Sequence, residues 1–234
     1  VTDLDPLRRL LATANRVLAN EQVMDAFGHA SVRHPDRPDR FLLACSRPPE
    51  QVRPDDILVF GEDSEPVEPC TEPLYSERFI HGEIYRLRPD VQAICHHHAP
   101  AVMPFCVSGV PLVPVTQHGA TMGATIPFWD SRDDFGDTNL LVTTAAQAAS
   151  LARALGPHSM VLMRRHGATS IGRDIEDMVF RAVSACRNAQ IQSAAMAMGA
   201  VDALTPGEVD LAARVPPSAV ARAWRCWVDR LAAA

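Results

Sequence analysis

The chain alternates short apolar runs with polar breaks, and the period of each run assigns it to a helix or a strand. Over residues 5–19, Leu7, Leu10, Leu11, Val17 and Leu18 recur at helical spacing, with Asp5 as a cap and Pro6 in the first turn. The segments "ASVRH", "RFLLAC" and "DDILVF" are short and β-branched or apolar. The turns "PDRPD" and "RPPEQVRPD" separate them, so they predict three neighbouring strands. In "YSERFIHGEIYRLRPD" a stripe of Phe79, Ile80, Ile84 and Leu87 predicts a helix that stops before Pro89, and "VQAICHHH" follows as a strand. Beyond it the pattern predicts a helix in "PAVMPFCVSG", a strand in "VPLVPV", loops through "IPFWDSRDDFGD" and an Ala/Leu helix ending at Gly156. Two strands around a glycine turn follow in "HSMVLMRRHGATSIG", then a long helix with Asp174 near its start and Gly199 at its end, then a helix in "PPSAVARAWRCWVDRLAAA". Such a mixed order predicts a sheet with helices on its faces.

No linker, repeat or charge block divides the 234 residues, so one domain over 1–234 is expected. No apolar run approaches the roughly 18 residues of a membrane span. A formal charge of −6 argues against nucleic acid or anionic lipid as partner, because both demand clustered positive charge. A small molecule or a protein partner remains. The six cysteines form no CxxC pair, and the opening "VTDLDPLRRLL" lacks the apolar core of a secretory signal, so free thiols in a reducing cytoplasm are expected. All 22 basic residues are arginine, which rules out Schiff-base catalysis through a lysine. Any carbanion formed here must lean on a metal, a cofactor or hydrogen-bond donors.

Against that background "ICHHHAP" stands out. In a strand, His96 and His98 point to one face and His97 to the other, and two imidazoles at that spacing make a natural metal pincer. His166, where an apolar strand meets "HG", is the best third ligand, and Glu77, at the start of the helix leading into the histidine strand, is the best carboxylate. A solvated first-turn acid is an equal reading of Glu77. His118 in "TQHGA" suits either a functional loop or a hydrogen-bonded structural role.

These segments, "SERFIHGEIYRLRPDVQAICHHHAP" and the later "VLMRRHGATSIGRDIEDM", resemble the class II aldolase/adducin family over nearly the whole chain. The resemblance implies a three-layer α/β/α sandwich with a mixed, largely antiparallel sheet, and a homotetramer. It also implies a divalent metal on His96, His98 and His166, with Glu77 as acid/base or occasional fourth ligand. Three imidazoles with carboxylate and water suit Mn²⁺, the expected ion, and also Zn²⁺ or Fe²⁺. Where the sugar-phosphate aldolases of the family carry small phosphate-binding residues, this chain has His29, Ser46, Arg47, Tyr75 and Ser76. A planar guanidinium fork and flat rings suit an aromatic acid better than a phosphate.

The "YSERFIHGEIYR" and "GHAS" segments look most like the family's aromatic decarboxylase branch. That implies a hydroxylated aromatic or pyridine dicarboxylate as substrate, with 3-hydroxy-2-methylpyridine-4,5-dicarboxylate, losing its C4 carboxylate, as the expected case. Glu77, with a raised pKa, is then the expected proton donor and His118 the second choice, while Arg47 would meet the second carboxylate. An aldolase or epimerase of sugar phosphates and a non-catalytic adducin-like binding module are the alternatives.

Overall fold

The structure is a computed structural model describing residues 2–233. Helix α1 (Asp5–Asn20) opens the chain and leads into strands β1 (His29–Arg33), β2 (Arg40–Ala44) and β3 (Ile57–Gly61). Helix α2 (Phe79–Leu87), strand β4 (Ala93–His97) and the short α3 (Met103–Ser108) follow. The two-residue β5 (Phe128–Trp129), α4 (Arg132–Phe135) and α5 (Ala145–Leu155) precede the pair β6 (Met160–Met163) and β7 (Gly167–Gly172). Helices α6 (Ile175–Met198), α7 (Pro206–Ala212) and α8 (Pro217–Ala233) complete the chain.

The seven strands form one sheet in the order β3-β2-β1-β4-β7-β6-β5, antiparallel throughout except for the parallel pair β5–β6. Side chains alternate across it. Ala93 and Cys95 of β4 join the apolar cluster under α1, α6 and α8, whereas Ile94 joins a second cluster under α2 and α5. Helices therefore cover both faces, in the three-layer arrangement the sequence implied. No helix among the described residues is long and apolar enough to cross a membrane. Cys45, Cys70, Cys95, Cys106, Cys186 and Cys226 are free thiols.

Capping follows the sequence at the later helices but not at α1, where Asp5 is already the first helical residue and Leu4 holds the cap position without a side-chain bond. Thr144 caps α5 and Asp174 caps α6 through their side chains, and Gly156 and Gly199 close the same helices. Further expectations are corrected, among them the loop through "IPFWDSRDDFGD", which carries β5 and α4. Residues 110–115 form no strand, because Pro111 and Pro114 lack the N–H a ladder needs. The segment instead lies along α6, where Gln192 and Asn188 take its backbone groups: Val113 N–H donates to Gln192 Oε1 at 2.9 Å and Val115 N–H to Asn188 Oδ1 at 2.8 Å. The β6–β7 turn does not bend at glycine either: Arg165 takes the left-handed conformation (φ 54°), and Gly167 already belongs to β7. Helix α7 was not foreseen, although Thr205, Pro206 and Glu208 spell a capping box.

Candidate active site

Four elements converge at the C-terminal end of β4. Glu77 sits in the turn just before α2, His96 in β4, His98 one residue past that strand, and His166 in the β6–β7 turn. One ligand atom from each of these residues lies within 4.8 Å of every other. The imidazole nitrogens are closer still: Nε2 of His98 is 3.1 Å from Nε2 of His96 and 2.9 Å from Nε2 of His166. Glu77 Oε2 faces both remaining rings, at 3.6 Å from His96 and 3.4 Å from His166.

The backbone around the cluster dictates this convergence. Gly167 packs so closely on the β4 end that a Cβ would collide with the His97 carbonyl and crowd the His98 ring. Gly28, at φ 103°, lets the chain enter β1 beneath Met24 and the His96 carbonyl. The loop before α5 supplies two backbone contacts that no sequence motif announces. His166 Nδ1 donates to the Leu140 carbonyl at 2.6 Å, and the Val142 N–H donates to Glu77 Oε1 at 2.9 Å.

Protonation follows from these contacts. A carbonyl only accepts, so neutral His166 carries its hydrogen on Nδ1 and turns the Nε2 lone pair towards the cluster. Burial pushes the His98 imidazole down to about 3 and also lowers His96, so both rings offer lone pairs at neutral pH. Burial lowers His166 as well, but the facing Glu77 carboxylate outweighs it and the net direction is up. For Glu77, burial favours the acid form, yet the opposing His166 and His96 hold its carboxyl well below the usual range. The raised carboxyl pKa expected for a proton donor is therefore overturned: Glu77 is a carboxylate at rest.

Three lone pairs and one anion aimed at a point fit a divalent cation in donor type and charge. Spacing adds a second test. Ligands about 2.1 Å from an ion stand about 3.0 Å apart at right angles and about 3.4 Å apart at tetrahedral angles. The separations of 3.1 and 2.9 Å between imidazoles match the right-angled value and those of 3.4 and 3.6 Å to Glu77 match or slightly exceed the tetrahedral one, so the spacing fits a divalent cation of either coordination geometry.

Above the cluster opens a pocket of about 400 Å³ whose lining includes His29, Ser46, Arg47, Tyr75, Ser76, Glu77 and His98. Phe27, Leu74 and Leu141 form the apolar part of its wall. The rings of His29 and Tyr75 pack at 4.6 Å with a 40° tilt. Tyr75 donates its hydroxyl to the Arg47 carbonyl, and burial pushes that hydroxyl up to about 12. Ser46 and Ser76 are exposed at the rim.

Two expected residues are placed differently. The Arg47 guanidinium is bound to Asp56 at 3.1 Å and Glu72 at 3.0 Å, so its charge is met by the chain's own carboxylates. His118 heads a 3-10 turn beside α6, exposed, with its ring edge-on to Phe180 at 5.4 Å. That is the α6 side of the sheet, and a single chain does not bring His118 to Glu77. His81, to which the sequence assigns no role, is fully buried beneath His29.

Comparison with known proteins agrees with this geometry. The family model described as "Class II Aldolase and Adducin N-terminal domain" matches residues 9–193. The chain is 33% identical to "Decarboxylase tropJ" of Talaromyces stipitatus, covering 95% of this chain and 92% of that protein. It is 29% identical to a "3,4-dihydroxyphthalate decarboxylase" of Terrabacter sp., covering 88% and 87%. Among solved structures, an aldolase II superfamily protein from Pseudomonas syringae superposes with a TM-score of 0.82 at 21% identity, covering 99% and 94% of the two chains.

Proposed function

The chain belongs to the class II aldolase and adducin family, and from that premise we propose that it is a divalent-metal-dependent, non-oxidative decarboxylase of an ortho-hydroxylated aromatic carboxylate. The carrying observation is the convergence of three imidazole nitrogens and one carboxylate at the floor of a pocket walled by His29 and Tyr75. His96, His98 and His166 would hold the ion, and three imidazoles beside a carboxylate suit Mn²⁺, the expected ion, as well as Fe²⁺ or Zn²⁺. When bound, such an ion supplies Lewis acidity to the ring oxygen beside the leaving carboxylate.

The chain's own residues do the rest. His29 and Tyr75, packed on each other, form one wall beside the aromatic ring, and the apolar wall shields the reacting bond from water. Glu77, unprotonated at rest and anchored by the Val142 N–H, accepts the proton of the ring hydroxyl as the acid binds. The bond from ring carbon to carboxylate then breaks, CO₂ departs, and the electron pair stays on the ring carbon. That carbon takes the proton from Glu77, and the ring oxygen is reprotonated by water on release.

The tropJ and Terrabacter relatives are both named decarboxylases, which supports the reaction class. The expected 3-hydroxy-2-methylpyridine-4,5-dicarboxylate and the 3,4-dihydroxyphthalate of the Terrabacter name share one pattern, a hydroxyl and two carboxylates on three consecutive ring carbons. That pattern is the proposed substrate class, and vitamin B6 breakdown is the setting implied by the pyridine member. A homotetramer in the cytoplasm completes the proposal. Incubation of the protein with both acids and Mn²⁺, followed by CO₂ release, is the test. Release from either acid is expected. No release from any hydroxylated dicarboxylate, together with cleavage of a pentulose or deoxyhexulose phosphate, would move the protein to the aldolases.

A further inference from the structure

A row of hydrogen bonds runs from the pocket into the core. His29 Nδ1 lies 2.6 Å from His81 Nε2, His81 Nδ1 lies 2.6 Å from Ser31 Oγ, and Ser31 Oγ lies 2.8 Å from the Tyr85 hydroxyl. All four residues are buried. At the inner end the Tyr85 hydroxyl has no second hydrogen-bond partner among the described residues, and the Arg33 guanidinium covers its ring at 4.7 Å. At the outer end His29 lines the pocket beside Tyr75 and His98, with Nδ1 taken by His81 and Nε2 making no hydrogen bond among the described residues.

The dead end at Tyr85 sets the direction of the row. In a single-file row a neutral imidazole donates through one nitrogen and accepts through the other, so the direction of one bond fixes the next. Were the hydrogens to point inward, Ser31 would donate to Tyr85, whose own O–H would be buried with nothing to accept it. Pointing outward, every donor is used: Tyr85 to Ser31, Ser31 to His81 Nδ1, and His81 Nε2–H to His29 Nδ1. An unused lone pair on Tyr85 costs less than a stranded buried donor. His29 is left carrying its hydrogen on Nε2, the nitrogen that faces the pocket.

We propose that Ser31 and His81, closed off from the core by Tyr85, are positioning residues that lock His29 in its Nε2–H tautomer, as a dedicated hydrogen-bond donor to an anionic oxygen of the aromatic acid. This inference rests on the decarboxylase reading of the pocket. It supplies what Arg47, tied to Asp56 and Glu72, does not: a donor aimed at the bound anion. The row also makes His29 a poor proton source. Giving up the Nε2 hydrogen would draw one hydrogen along the whole row and end in a buried tyrosinate at Tyr85, whose hydroxyl burial holds strongly in the protonated form. Proton delivery therefore stays with Glu77.

The test reads the tautomer directly. Protein labelled with ¹⁵N-histidine and loaded with diamagnetic Zn²⁺ is examined by solid-state NMR, which separates protonated from bare ring nitrogens. Hydrogen on Nε2 of both His29 and His81 is expected. Tyr85→Phe should keep that pattern, because Ser31 still has only His81 to donate to, whereas the double variant Ser31→Ala/Tyr85→Phe should mix the tautomers of His29. Calorimetric titration with salicylate should then show roughly tenfold weaker binding in the double variant than in the parent protein. A purely structural row would lower thermal stability and leave tautomer and affinity alone. Hydrogen on Nδ1 of His29 in the parent protein overturns the proposal without any variant having to fold. Failure of the parent to bind salicylate or turn over any aromatic acid, with the Nε2 hydrogen in place, instead overturns the ligand and the decarboxylase reading together.

Discussion

Mild acid should destabilise the metal-free protein well above the range where carboxylates titrate. His81 and His97 are completely buried, and burial pushes each down to about 3. In the unfolded chain both imidazoles titrate near 6.5. Below that pH the unfolded state binds a proton at each position while the folded state refuses it, so stability present at neutral pH drains away as pH falls from about 6.5 towards 3. At pH 5.0 the excess proton binding is worth about 2 kcal/mol per imidazole, or about 4 kcal/mol for the pair. Set against a typical total of about 5–15 kcal/mol, that is a large share. His29, His96 and His98 shift in the same direction, while unfolded carboxylates, titrating near 4, contribute little in this window. Urea denaturation in the presence of a chelator, followed by tryptophan fluorescence at steps from pH 7.5 to 5.0, measures the loss. His97→Leu should remove about 2 kcal/mol of the pH dependence. A stability that changes by less than about 1 kcal/mol across this window in the parent protein would refute the burial of neutral imidazoles on which the reasoning rests.

Gly167→Ala places a methyl against the His97 carbonyl and the His98 ring, and should cost about 1–3 kcal/mol and weaken metal retention. An unchanged melting temperature and metal content would show that this approach is looser than described. Glu77→Gln keeps an acceptor for the Val142 N–H but removes the charge and the proton carrier, so kcat should fall about 100-fold or more while the fold survives. Parental kcat in that variant would assign the proton elsewhere. Asn188→Ala strips partners from the part-buried N–H groups of Val115 and Thr116 and from the Val113 carbonyl, at about 1–3 kcal/mol in all. Scanning calorimetry should register the drop, and a loss below about 1 kcal/mol would mean that residues 110–115 find other partners.

Periodicity was enough to place most helices and the central strands, because those elements bury one face and the burial writes itself into the spacing of Leu, Ile and Val. It misled at "VPLVPV", where an apolar, β-branched run reads as a strand but the prolines remove ladder donors and the partners are amide side chains 73 or more residues away. At the site, the type and spacing of Glu77, His96, His98 and His166 announced a cluster that the structure brings within 4.8 Å. The commitment of Arg47 was not legible, since nothing local pairs it with Asp56 and Glu72. Nor were the backbone contacts of Leu140 and Val142, because a carbonyl or N–H carries no side-chain signature. His81 reads as a helix position with no task, and only the packing of α2 against β1 places it under His29.

The central claim is that three imidazoles and a carboxylate hold a divalent cation needed to break a carbon–carboxylate bond. Its most direct test is equilibrium binding of Mn²⁺ to the chelator-stripped protein, counted by electron paramagnetic resonance, for the parent chain and for His98→Ala. Near one tightly held ion per chain in the parent and none in the variant is the predicted result. A parent that holds no ion, or a variant that holds it as tightly, would contradict the account.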